Sequence, residues 1–152
     1  MTEALIEIKD LYKNYIVNKN NIFILNKINF SVVKGDIISI TGPSGSGKST
    51  LLNILGLLDT NYTGEYKFLK KNVDNLTTNK KNILRNRSIG FVHQFFHLIP
   101  ELNILENVSL PCLIANNNIN NSFNKAKKII NEFNLEQRLY SKPSNLSGGV
   151  DE

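Results

Sequence analysis

Residues 37–59 read IISITGPSGSGKSTLLNILGLLD, and the reading of this stretch decides the fold. Ile37 to Thr41 is a short β-branched run of the kind that forms a buried parallel strand. A loop of glycine and serine follows, then KSTLLNILGLL, whose leucines and isoleucines suit a buried helix. Inside the loop, Gly42, Pro43, Ser44, Gly45, Ser46, Gly47, Lys48 and Ser49 fit the spacing G-x-x-x-x-G-K-[ST], with Thr50 directly after. Each fixed position has a physical task. The glycines let the backbone curl until successive N–H groups converge on one anion, Lys48 adds a cation, and the Ser49 hydroxyl can reach Mg²⁺. The start of the helix adds its own positive end to the same point. At average residue usage the four fixed positions coincide about once in 3×10⁴ windows. The strand before and helix after are the context that such a phosphate cradle requires, so nucleotide binding is the expectation.

Working outward, the N-terminal side reads as β-strands. ALIEIKDLY and FILNKINFSVV carry strand-forming residues, and Lys34-Gly35-Asp36 turns the chain into Ile37. On the C-terminal side, GEYKFLK reads as a strand, TTNKKNILRNR as a short polar helix capped by Thr77 or Thr78, and SIGFVHQ as a further strand. From Phe95 the pattern turns helical. Asn103 is placed to cap LNILENVSLPCLIA, with Pro111 breaking or ending it. In NNSFNKAKKIINEFN, Phe123, Ala126, Ile129, Ile130 and Phe133 recur as one helical stripe.

Composition narrows the function classes. The 152 residues carry a net charge of +5, but the lysines occur as scattered pairs (70–71, 80–81, 127–128) with no aromatic-studded basic face. A nucleic-acid partner is therefore not expected. Cys112 is the sole cysteine, which rules out an internal disulfide and a cysteine-rich zinc site. No apolar run approaches the roughly 18 residues of a membrane span, and the N-terminus lacks the pattern of a signal peptide. The expected location is cytoplasmic.

Two further motifs follow the cradle in order. IGFVHQFFHLIPELNILENVSLP occupies residues 89–111, and LSGG occupies residues 146–149. In this order of P-loop, Gln94 loop and signature, the chain resembles the ATP-binding subunits of ABC transporters. LLNILGLLD, RNRSIGFVHQFFHLIPELNILENVSLP and PSNLSGG look most like the lipoprotein-releasing ATPases, with macrolide-exporter ATPases next. The resemblance implies an α/β fold. It would be a P-loop NTPase core of ABC type with an N-terminal antiparallel β portion near 3–33 and a helical subdomain at about 95–146, all within one domain spanning 1–152.

It also implies roles. Residues 42–50 would hold the phosphates of ATP and its Mg²⁺, with Ser49 as a metal ligand. Tyr15 would stack on adenine. Gln94 would approach Mg²⁺ and the attacking water. Ser147, Gly148 and Gly149 would contact the nucleotide of a second ATP-binding subunit arranged head to tail, and the helical part would dock on a membrane-embedded transporter subunit. The implied place is the cytoplasmic side of a bacterial inner membrane. His93 and His97 precede the signature, so neither matches the family's switch histidine.

The sequence departs from the family pattern at its end. Val150 stands where the signature continues with Gln or Glu, and Asp151-Glu152 follow with no apolar strand before them. The family's strand with its Mg²⁺-linked aspartate and catalytic glutamate, and its switch histidine, have no counterpart here. The expectation is a fold incomplete at its C-terminus that binds MgATP without hydrolysing it significantly. Two alternatives stand beside it: a non-hydrolysing partner module, and the remnant of a frameshifted gene. Without the missing strands, Ile37–Thr41 and Gly90–Gln94 are expected to present unpaired edges and bare apolar faces.

Overall fold

The computed structural model describes residues 4–95, 97–116 and 118–145. The chain divides into two compact units, Met1–Ile89 and Gly90–Glu152.

The first unit is built on an antiparallel sheet of order β2-β1-β3-β4. Strands β1 (Ala4–Val17) and β2 (Asn20–Val33) form a long hairpin, with β3 (Thr63–Phe68) on the other side of β1 and the short β4 (Lys71–Asn72) beyond it. Alternation along β1 sends Ile8, Leu11 and Lys13 inward, and the register slips between Ile8 and Leu11 and again before Lys13 and Asn14. Helix α1 (Lys48–Leu55) lays Leu51 and Ile54 into the core that the sheet presents through Ile8, Leu11, Leu25, Tyr66 and Phe68. The Tyr66 hydroxyl donates to the Leu55 carbonyl at 2.7 Å, and Arg85 donates to the Leu57 carbonyl at 2.9 Å. The first bond occupies a carbonyl of the last turn of α1, which a helix cannot satisfy internally, and the second a carbonyl just past its C-cap Gly56. Arg85 belongs to α2 (Thr78–Ser88), where Thr77 is the cap and accepts from the Lys80 N–H.

The second unit holds α3 (Ile104–Asn116) and α4 (Ile119–Glu132), which bury Ile104, Leu105, Ala126 and Ile130 between them. Asn103 does cap α3, and it does so reciprocally. Its side chain accepts from the Glu106 N–H at 2.9 Å while the Glu106 carboxylate accepts from the Asn103 N–H at 2.8 Å. The Asn107 amide then ties the approach to the helix, donating to the carbonyls of Ile99, Leu102 and Asn103.

Several local expectations need correction. Ile37–Ile40 and Gly90–Gln94 are not strands: neither joins the sheet, and Ile37 and Val92 are fully exposed. A parallel strand draws its hydrogen bonds only from adjacent strands, and the sheet among the described residues is an antiparallel one that excludes both segments. The bare apolar surface foreseen there is present. Pro111 neither breaks nor ends α3, which continues through it to Asn116; packing against α4 outweighs the lost backbone donor. The apolar stripe of α4 is narrower than the sequence suggests. Ser122, Ala126 and Ile130 are buried and Phe123 packs beside them, whereas Ile129 and Phe133 face solvent.

Candidate functional site

The loop between Thr41 and Lys48 owes its shape to glycine. Gly42, Gly45 and Gly47 all have positive φ, at 152°, 79° and 88°. At Gly47 the need is also steric, because a Cβ would lie 2.9 Å from the Leu25 side chain and 3.0 Å from the Ile24 carbonyl oxygen. At Gly42 it would meet the Ser46 hydroxyl at 2.8 Å. Gly47 is also the N-cap of α1, and no side chain caps this end of the helix. The first-turn N–H groups thus open toward the loop with their dipole behind them.

Lys48 bends back over the loop. Its ammonium donates to the carbonyls of Gly42 at 2.8 Å and Pro43 at 2.7 Å. An ammonium has three protons to donate, so these two bonds pin the cation at the mouth while leaving capacity for an anion. Pro43, Ser44, Gly45, Ser46 and Ser49 are exposed, and Thr50 is half-buried. Backbone curl, fixed cation and uncapped helix start together suit a phosphate chain. The Ser49 hydroxyl, one residue into the helix, suits the oxygen-ligand preference of Mg²⁺.

A second group of residues stands in the same unit. Lys13 on β1 is buried and pairs with Asp59, its ammonium 2.7 Å from Asp59 Oδ2 and 3.0 Å from Oδ1. The same ammonium sits 4.7 Å from the centre of the Tyr15 ring, and the Tyr15 hydroxyl donates to Asp59 Oδ2 at 3.4 Å. Burial by itself would push the Asp59 carboxyl up, but Lys13, the Asn61 N–H and the Tyr15 hydroxyl bring it below the usual carboxylate range. Lys13 and Asp59 escaped the sequence reading. The only signal available was a lysine falling on the inward face of an alternating strand, which needs the register to be seen.

Gln94 lies in the second unit, exposed, in a segment without regular structure. Next to it the rings of Phe91 and His93 stack with centroids 5.4 Å apart, and His93 meets His97 edge-on at 4.8 Å. Both histidines are exposed, as surface residues with ring contacts to one another. Ser147, Gly148 and Gly149 lie outside the described residues. Cys112 is half-buried on α3. Among the described residues no cluster of His, Cys, Asp or Glu could hold a metal by itself, and no helix is long and apolar enough to cross a membrane.

Comparison with known families decides what this loop belongs to: the family model described as ABC transporter matches residues 25–152. The chain belongs to the ABC transporter family. Among curated proteins, this ABC-family chain is 43% identical over 146 residues to the lipoprotein-releasing system ATP-binding protein LolD of Wigglesworthia glossinidia brevipalpis. It is 38% identical over 145 residues to the macrolide export ATP-binding/permease protein MacB of Mannheimia succiniciproducens. The first alignment covers 96% of this chain and 64% of the relative; the second covers 95% and 23%. Among solved structures, the dimeric post-hydrolysis state of the ATP-binding cassette MJ0796 bound to ADP and Pi superposes with a TM-score of 0.82. That match is at 36% identity over 95% of this chain and 64% of the other. Family and fold class therefore stand as the motifs implied. The chain spans about two thirds of the length of the lipoprotein-releasing relatives it matches.

Proposed function

We propose that this chain is the ATP-binding part of a bacterial ABC transporter of the lipoprotein-releasing type, and that it holds MgATP on the loop from Gly42 to Ser49. The observation that carries the reading is the anchored cradle. Gly47 is wedged against β2, Lys48 is pinned at the mouth by two loop carbonyls, and the first turn of α1 is left uncapped. The alignment to lipoprotein-releasing ATP-binding proteins supports the choice of transporter class.

In this reading the backbone amides of 42–47 and the start of α1 bind the α and β phosphates, and Lys48 bridges the β and γ oxygens. Ser49 and Gln94 serve Mg²⁺, which neutralises phosphate charge when bound. Tyr15 stacks on the base. Ser147, Gly148 and Gly149 reach the nucleotide of a second copy arranged head to tail, while the helical unit docks on a membrane-embedded partner at the cytoplasmic face of the inner membrane.

The 152 residues by themselves bind nucleotide without sustaining hydrolysis. Attack by water needs a carboxylate held rigidly against it. The carboxylates flanking the cradle in sequence are committed elsewhere: Asp36 accepts from the Val33 N–H at 2.8 Å, and Asp59 is paired with Lys13.

Titration of the chain with MgATP, alongside Lys48→Ala, tests both parts. Saturable binding weakened at least tenfold in the variant, with no Lys48-dependent phosphate release, is expected. Equal binding by the two proteins would remove the cradle reading. Turnover lost on Lys48→Ala would remove the claim of binding without hydrolysis.

A further inference from the structure

Lys13 is an expensive residue to bury. It is 2% exposed, and a buried ammonium is tolerated only when paired and hydrogen-bonded. A buried ion pair often contributes no more stability than apolar residues of the same volume would. The arrangement around Lys13 therefore calls for a role beyond stability, and its geometry supplies one.

The ammonium satisfies both Asp59 carboxylate oxygens and the Asn61 carbonyl, and it lies over the Tyr15 ring at 4.7 Å. Tyr15 is held at its far end too, by its hydroxyl on Asp59. One face of the ring carries the cation, and the side chain remains 43% exposed. Asp59, in turn, is built onto the end of the phosphate-loop helix: its N–H donates to the Asn53 carbonyl at 3.1 Å, as does that of Leu58 at 2.8 Å. On the strand side, Lys13 pairs in register with Leu25, the residue against which Gly47 is wedged. A continuous set of contacts thus runs from the Tyr15 ring through Lys13 and Asp59 to α1, and from Lys13 through Leu25 to Gly47.

We propose that Lys13 and Asp59 are positioning residues that fix the Tyr15 ring in register with the phosphate loop, so that the base and the triphosphate of one nucleotide are engaged together. The inference rests on the reading of Tyr15 as the base-stacking residue. Stacking on an aromatic side chain contributes more when the ring is already oriented, because the cost of ordering it on binding is removed. A cation over one ring face and a tether on the hydroxyl provide that orientation.

The test compares MgATP with magnesium tripolyphosphate, which has the phosphates and no base, on the full chain. Tyr15→Ala is expected to weaken MgATP about tenfold and leave tripolyphosphate unchanged. The double variant Lys13→Met/Asp59→Leu keeps an apolar filling in place of the pair. It is expected to weaken MgATP about threefold to tenfold, again with tripolyphosphate and the urea midpoint unchanged. Lys13→Met alone leaves Asp59 partly exposed and still accepting from the Asn61 N–H; it is expected to show a smaller loss with the same split, so the inference stays testable should the double variant fail to fold.

If Tyr15→Ala leaves the ratio of the two affinities intact, the stacking reading falls and this inference with it. If Tyr15→Ala changes the ratio but neither pair variant does, the positioning role alone is overturned. A folded pair variant that loses both ligands equally overturns it too, because that is the mark of a merely structural pair.

Discussion

The two units bury their cores in different ways. In the first, Ile8, Leu25, Ile54 and Phe68 come from three separate strands and a helix and meet in one cluster. In the second, Ile104, Leu105, Ala126 and Ile130 come from two adjacent helices, supported by Val108, Phe123 and Leu139. The sheet unit carries the cradle, and its long-range packing fixes α1 from below and Gly47 from the side. The helical unit adds local devices, the Asn103–Glu106 reciprocal cap and the Asn107 clamp, to one long-range tie, the Leu105 N–H donating to the Leu139 carbonyl at 3.0 Å. Anchoring of the glycine loop thus comes from strands and a helix that meet in one core, whereas the helical pair adds local caps to a smaller core closed by the Leu105–Leu139 backbone bond.

The sharpest way to break this contrast is to cut the core of the sheet unit. Ile54→Ala removes a side chain with no exposed surface from the face of α1 and should cost about 2–5 kcal/mol. Four of the five tyrosines, Tyr12, Tyr15, Tyr62 and Tyr66, lie in this unit, the fifth, Tyr140, is exposed in the other, and the chain has no tryptophan, so tyrosine emission in a urea titration reads chiefly this loss. MgATP affinity should fall with it. Hydrogen exchange in α3 and α4 that accelerates as much as in β1 and β3 would show that the two cores are not separate.

A milder cut tests the helical unit. Asn103→Ala removes one half of the reciprocal cap and should cost about 0.5–2 kcal/mol, read as faster exchange of the first-turn amides of α3. MgATP affinity should not move. A fall in affinity matching that of Ile54→Ala would contradict the assignment of the cradle to the first unit.

The smallest effect is one of pH. Asp59 titrates below its ordinary value in the folded chain. The stability it contributes is therefore present above the unfolded carboxylate pKa of about 4 and is lost as pH falls through the lower folded value. The urea midpoint should decline below pH ~4, and Asp59→Asn should flatten that part of the decline. Equal acid sensitivity in the two proteins would place the loss on other groups, Glu7 among them, whose carboxyl is also held down by Lys9 and Lys67.

Much of the site was legible because its chemistry is written contiguously. A glycine with positive φ, a lysine within reach of loop carbonyls and a helix beginning at Lys48 all follow from eight consecutive residues. The N-terminal strands were legible from their residue types and alternation and their antiparallel arrangement from the family resemblance, and Thr77 and Asn103 as caps from residue type and position. What failed was dependent on neighbours. IISIT has the composition of a central strand, yet strand pairing is a property of two segments, and Ile37 stands fully exposed without one. Ile129 and Phe133 satisfy helical periodicity, but which side of a stripe is covered depends on what packs there. Pro111 carries an intrinsic cost inside a helix, and tertiary contact with α4 overrode it.

The sequence by itself determined the family, the curled backbone of the glycine loop and the local punctuation of the elements, since each rests on residue types at short fixed spacing. Only the tertiary structure decided that Lys13 lies beneath Tyr15 and against Asp59, joined across 46 residues of chain. Spacing carries backbone curvature and helix ends. The side of a strand that turns inward, and the charge it meets there, depend on register shifts and packing that no short stretch of sequence contains.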